Sequence, residues 1–140
     1  MVIWMKVKNL LLAVRSALSS ALTEVKVITE FPDRQQDLPL KQPIISVGVF
    51  SVVIESGTDA VNISAGNSPM AVTVRLSICV PKTDEGIKCT ELVDQSINVM
   101  AGFLSQYSIG DVNVGQTRYS SALGALNTNI DLKFNIGNAF

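Results

Sequence analysis

The 140-residue sequence predicts an α+β domain. The expected architecture is a mixed or mostly antiparallel sheet of about five strands packed against two helices, in the order α-β-β-β-α-β-β. Three features predict it. Apolar residues recur at helical spacing near the N-terminus and again over residues 89–107. Apolar and polar residues alternate with period two over residues 71–80 and near the C-terminus. Residues 44–55 form a β-branched run too rich in Val and Ile for a surface helix. The length fits one domain, residues 1–140.

The first helix is expected over residues 7–22. Val7, Leu10, Leu11, Val14, Leu18, Ala21 and Leu22 share one face, and Lys8, Arg15 and the serines at 19 and 20 fall off it. The same stretch has the outline of a signal peptide, with lysines, an apolar run and then small residues. Arg15 interrupts that run after Val14, so the helical period is the better reading. No apolar run approaches the ~18 residues of a membrane span.

"VKVITE", residues 25–30, alternates and reads as a short strand. "FPDRQQDLPLKQP" follows, with three prolines and four charges. Proline disfavours helix and withdraws ladder donors, so an irregular connector is expected. The run 44–55 then makes a long strand, about 40 Å at the usual rise. Both of its parities are apolar, which predicts two covered faces: helices on one side and a partner chain on the other. Gly48 in its middle is the expected place for a bulge or a close backbone contact.

Residues 57–69, "GTDAVNISAGNSP", are loop by composition and longer than a hairpin needs. In the next strand Val72, Val74, Leu76, Ile78 and Val80 point one way. Ala71, Thr73, Arg75, Ser77 and Cys79 point the other, which puts Cys79 on the more polar face. "PKTDEG" turns the chain into the second helix, with Thr83 as its cap and Asp84 and Glu85 at the positive end of its dipole. Cys89, Leu92, Val93, Ile97, Met100, Phe103, Leu104 and Tyr107 form its core stripe. "SIGD" is expected to end it, with Gly110 taking a positive φ. Residues 111–119 and 128–136 make the last two strands, joined by "SSALGALN" as a hairpin loop.

Composition excludes much chemistry. Charged residues are 16% of the chain, below the roughly 25% of soluble domains. A chain with few charges and 47% hydrophobic residues points to surface covered by partners. Net charge is −1, which gives no general pull toward nucleic acid or acidic lipid. There is no histidine, so Ser-His-Asp and Cys-His machinery cannot be built within this chain. Cys79 and Cys89 cannot make a four-ligand zinc site alone; they read as buried free thiols, with a disulfide as the lesser alternative because the dense spacing of a secreted scaffold is lacking.

The strand 44–55 is not followed by a glycine-rich turn into a helix, and neither a Gly-x-Gly-x-x-Gly nor a Gly-Lys-Ser/Thr pattern occurs. It reads as scaffold. Glu91 and Asp94, three apart on the exposed side of the second helix, read as solvated. Asp33, Arg34, Asp37 and Lys41 in the connector read either as a solvated loop or as a contact surface. No basic stripe or aromatic platform predicts nucleic-acid specificity, and aromatics are only 6%.

An N-terminal helix leads to a short strand and the segment "FPDR…LPLKQPIISVGVFSVVIE". A long loop, a strand, a helix and the final strands around "TRYSSALGALNTNIDLKF" follow. Over about residues 7–136 this layout resembles the tail-terminator, or tail-completion, proteins of tailed bacteriophages and phage-tail-like particles. The resemblance implies an α+β fold without catalytic, cofactor or metal sites. It implies a ring, usually a hexamer, that caps the tail tube, stops its polymerisation and presents a joint to a head-side connector or sheath protein. It also implies assembly in the host cytoplasm, residence in the virion tail, and no membrane partner.

On that reading residues 44–55 are the candidate for sheet extension or packing between subunits, and residues 59–67 for reaching the lumen or the tube. The candidate contact residues are Asp33, Arg34, Lys41, Val49, Val53, Asp59, Asn62 and Asn67. Two alternatives stand beside it: another neck or baseplate component of the same particle, and a small α+β ligand-binding module or enzyme using Asp, Lys or Arg.

Overall fold

A computed structural model describes residues 2–29, 42–54, 70–81, 87–102, 108–121 and 124–136, with backbone only for residues 2–5. Among the described residues two helices and six strands follow in the order α1 (Val2–Ala21), β1 (Lys26–Thr29), β2 (Ile44–Ile54), β3 (Met70–Pro81), α2 (Ile87–Gly102), β4 (Ser108–Val114), β5 (Arg118–Ser120) and β6 (Ala125–Ile136). The α+β class is as expected, with one strand more.

Helix α1 begins five residues earlier than its apolar period indicated and takes in "VIWM". Val7, Leu10, Val14 and Leu18 lie in the core, spaced to form one stripe, whereas Ala21 is exposed. The Leu22 amide closes the last turn on the Leu18 carbonyl at 2.8 Å, and a tight turn leads into β1.

One mixed sheet has the order β1-β2-β3-β6-β4, with β5 also paired to β6. β1 runs parallel to β2, with Lys26 opposite Ile44. Every other pairing is antiparallel. The centre is the twelve-residue ladder of β3 and β6, from Met70 opposite Ile136 to Pro81 opposite Ala125. β4 and β5 follow one another along the same side of β6, from Ser108 opposite Asn135 to Ser120 opposite Ala125. They form one interrupted edge strand where a single uninterrupted one was expected. The interruption at residues 115–117 is bridged by the Gly115 amide on the Asn129 carbonyl, 2.8 Å.

α1 packs on β1 and β2, α2 packs on β3 and β6, and the helices touch each other. Both therefore lie on one face of the sheet. Beneath them Val72, Val74, Leu76 and Ile78 interleave with Ile130, Leu132, Phe134 and Ile136 in one core. Burial of each such side chain stabilises the fold by about 1.5–3 kcal/mol. On the helix side of β4 Ile109 packs against the core, whereas Val112 and Val114 stay exposed.

Three expectations are corrected. The register of β2 against β3 shifts between Val49 and Ser51, so the extra residue is Phe50, while Gly48 stays in register opposite Arg75. Gly110 lies inside β4 and does not end a helix; among the described residues the positive-φ glycine is Gly124, φ 60°, in the turn before β6. That turn leaves a shorter loop than "SSALGALN", because β6 starts at Ala125. The proposed cap of α2, its stripe residues Phe103, Leu104 and Tyr107, and the loop 57–69 lie outside the described residues.

The bulge explains why β2 is apolar on both parities. Before it, odd residues Ile45, Val47 and Val49 share a side with the core strands; after it, even residues Val52 and Ile54 do. One inserted residue exchanges the two faces. Part of what looked like two apolar faces is therefore one face read through a register shift.

Candidate interaction surface

The face of the sheet opposite the helices carries the other residues of each ladder. At its centre Arg75 and Asp131 are register partners. Arg75 Nε donates to Asp131 Oδ1 at 2.8 Å and Nη2 donates to Oδ2 at 3.0 Å. The planar fork of guanidinium matches the carboxylate, which makes this a strong type of ion pair. The hydrogen bond to Asp131 raises the Arg75 pKa, opposed by partial desolvation. The guanidinium carbon also lies 3.9 Å from the centroid of the Phe50 ring. The bulge thus aims an aromatic ring at a cation.

Toward β1 the same face turns apolar. Ile44, Cys79 and Ala125 are buried together, with Ile28 packed against them. Cys79 sits on this face, as its parity requires, and is fully buried. Burial pushes its thiol pKa up, the hydrogen bond from Asn127 pulls it down, and nearby Cys89 raises it slightly further. Asn127 Nδ2 donates to both the Ile78 carbonyl and Cys79 Sγ at 3.3 Å. Ser77 Oγ donates to Asn129 Oδ1 at 2.9 Å. Both cysteines are free thiols. On the helix side Cys89 meets the Thr128 hydroxyl at 3.1 Å, and that hydroxyl meets Thr117 at 2.6 Å, so the polar atom of buried Thr128 is satisfied.

Beyond Arg75, toward β4 and β5, lies an open cleft of about 290 Å³, floored by β3 and β6 and walled by the break between β4 and β5. Asn113, Gln116, Arg118, Asn127 and Asn129 line it together with the Arg75–Asp131 pair. Among the described residues no three His, Cys, Asp or Glu side chains converge as a metal site. No helix among the described residues is long and apolar enough to cross a membrane.

Of the eight candidate contact residues, two are described. Val49 lies opposite Val74, half-buried and packed against the core. Val53 lies opposite Ala71 and is 61% exposed on the sheet face opposite α1 and α2, and Phe50 is 57% exposed on the same face. Asp33, Arg34, Lys41, Asp59, Asn62 and Asn67 lie outside the described residues. Sequence reading missed Phe50, Arg118 and the Arg75–Asp131 pair. Strand parity placed Arg75 on the polar face, but pairing it with a residue 56 positions away required the register.

These features define an α+β protein with one sheet face under helices and the other bearing a polar cleft and exposed apolar side chains. No protein-family model matches the chain, and no curated protein matches it.

Proposed function

We propose that the chain is a structural assembly protein: a ring subunit that caps a phage tail tube, ends tube polymerisation and presents a joint to the head-side connector. The observation that carries this reading is the exposure of Phe50 and Val53 on the sheet face away from the helices. Large apolar side chains grouped on an exposed face mark sites of association. The low charge of the chain and its layout, which resembles tail terminators, support the same reading. The protein binds the tube protein and further copies of itself, and it performs no turnover. Stable contacts of this kind bury about 1,200–2,000 Å².

The test is native mass measurement and electron microscopy of the protein, alone and mixed with tail tubes from the same particle. Closed rings seated on tube ends are expected. A strict monomer at every concentration that binds no tubes overturns the reading. Binding elsewhere along the particle would instead make the chain a neck or baseplate component.

A further inference from the structure

We propose that the polar cleft beside Arg75 receives the acidic outer side of α2 from a neighbouring copy of this chain. The proposal rests on the ring reading and names one contact that the ring would use. At about 290 Å³ the cleft lies at the small end of sites for free ligands, near 300 Å³, and suits inserted side chains.

Its charge is uneven. Asp131 is already held by both arms of Arg75. Arg118, exposed on the cleft wall, has no ion-pair partner among the described residues. The pair cancels, so the cleft carries one unspent positive charge. Asn113, Gln116, Asn127 and Asn129 surround it with amides that both donate and accept.

The complementary patch is on the same molecule but on the other layer. Glu91 and Asp94 stand three residues apart on α2, both exposed, with half-buried Lys88 one turn earlier. α2 packs on the helix side of β3 and β6, whereas the cleft opens on their opposite side. One copy cannot bring the two patches together. Two copies can, helix layer against cleft, and the contact is then heterologous. Contacts of that type build rings when the rotation between subunits closes. Complementary charge fixes the register of such a contact and speeds encounter.

Charge reversal tests it. Sedimentation velocity and electron microscopy would compare the wild type with Arg118→Glu, with Glu91→Lys/Asp94→Lys, and with all three changes combined, alone and on tail tubes. Arg118→Glu and the α2 pair should each weaken association about tenfold or more, and the combined protein should recover to within about threefold of wild type. Raised salt should weaken the wild-type contact. All three side chains are exposed, and thermal unfolding of each variant checks that it remains folded. Arg118→Gln, which removes charge without reversing it, should fall between wild type and Arg118→Glu.

If Arg118→Glu assembles as well as wild type, or the combined protein stays as weak as its parents, the contact is overturned and the ring reading stands. A wild type that neither self-associates nor caps tubes overturns both. Sulfate that occupies the cleft without shifting the association marks a simple anion site and also overturns the contact.

Discussion

Arg75 and Asp131 face each other across the central ladder, joined by two parallel hydrogen bonds of 2.8 and 3.0 Å, with the Phe50 ring 3.9 Å from the guanidinium. Their side chains are only 33% and 24% exposed. The pair ties β3 to β6, and Phe50 ties β2 to the same point.

Arg75→Lys keeps the charge but loses the fork and the stacked plane, and should cost about 1–2 kcal/mol. A double-mutant cycle with Arg75→Ala and Asp131→Ala should give a coupling of about 1 kcal/mol, since partial exposure screens the pair. Urea unfolding measures both. A coupling within about 0.3 kcal/mol of zero would show that the pair adds nothing.

Ser96 is fully buried in α2, and its hydroxyl has no hydrogen-bond partner among the described residues. A buried hydroxyl left unpaired costs free energy, and alanine is the better helix former. Ser96→Ala should therefore raise stability by up to about 1 kcal/mol. A fall in the urea midpoint would mean that the hydroxyl is satisfied after all.

Cys79 makes stability depend on alkaline pH. Its thiol pKa is raised in the fold, chiefly by burial. The unfolded chain therefore loses this proton first as pH rises. Stability from the neutral thiol is complete below the unfolded value, about 8.5, and declines as pH climbs from there toward the folded value. Cys79→Ser should lower stability at pH 7 yet show a shallower decline between pH 8 and 10. Parallel curves for the two proteins would remove Cys79 from the account. Both thiols should also resist alkylation until the protein unfolds, because both are buried.

Val49 and Val53 separate folding from assembly. Val49→Asp places a charge on the side of β2 packed against the core and should cost at least about 2 kcal/mol. Val53→Asp changes an exposed position and should cost under about 1 kcal/mol. On the proposed function Val53→Asp nonetheless blocks seating on tail tubes. A folded Val53→Asp protein that caps tubes normally would remove this face from the interface.

The helical stripe through Val7, Leu10, Val14 and Leu18 and the alternation from Val72 to Val80 are legible in the sequence. Both are periodic, and period reports which side of an element meets the core. Parity likewise placed Arg75 and Cys79 on the polar face. Parity could not locate the bulge, because Phe50 has no sequence mark that distinguishes it from the neighbouring Gly48.

The class of this fold follows from local pattern: two amphipathic helices and several strands, with no histidine to support histidine-based catalysis. The parallel pairing of β1 with β2, the division of the edge strand into β4 and β5, and the meeting of Arg75, Asp131 and Phe50 emerge only in the folded chain. Period and parity are local properties, carried by each segment alone. Register joins segments far apart in the chain, and it is set only when the whole core packs at once.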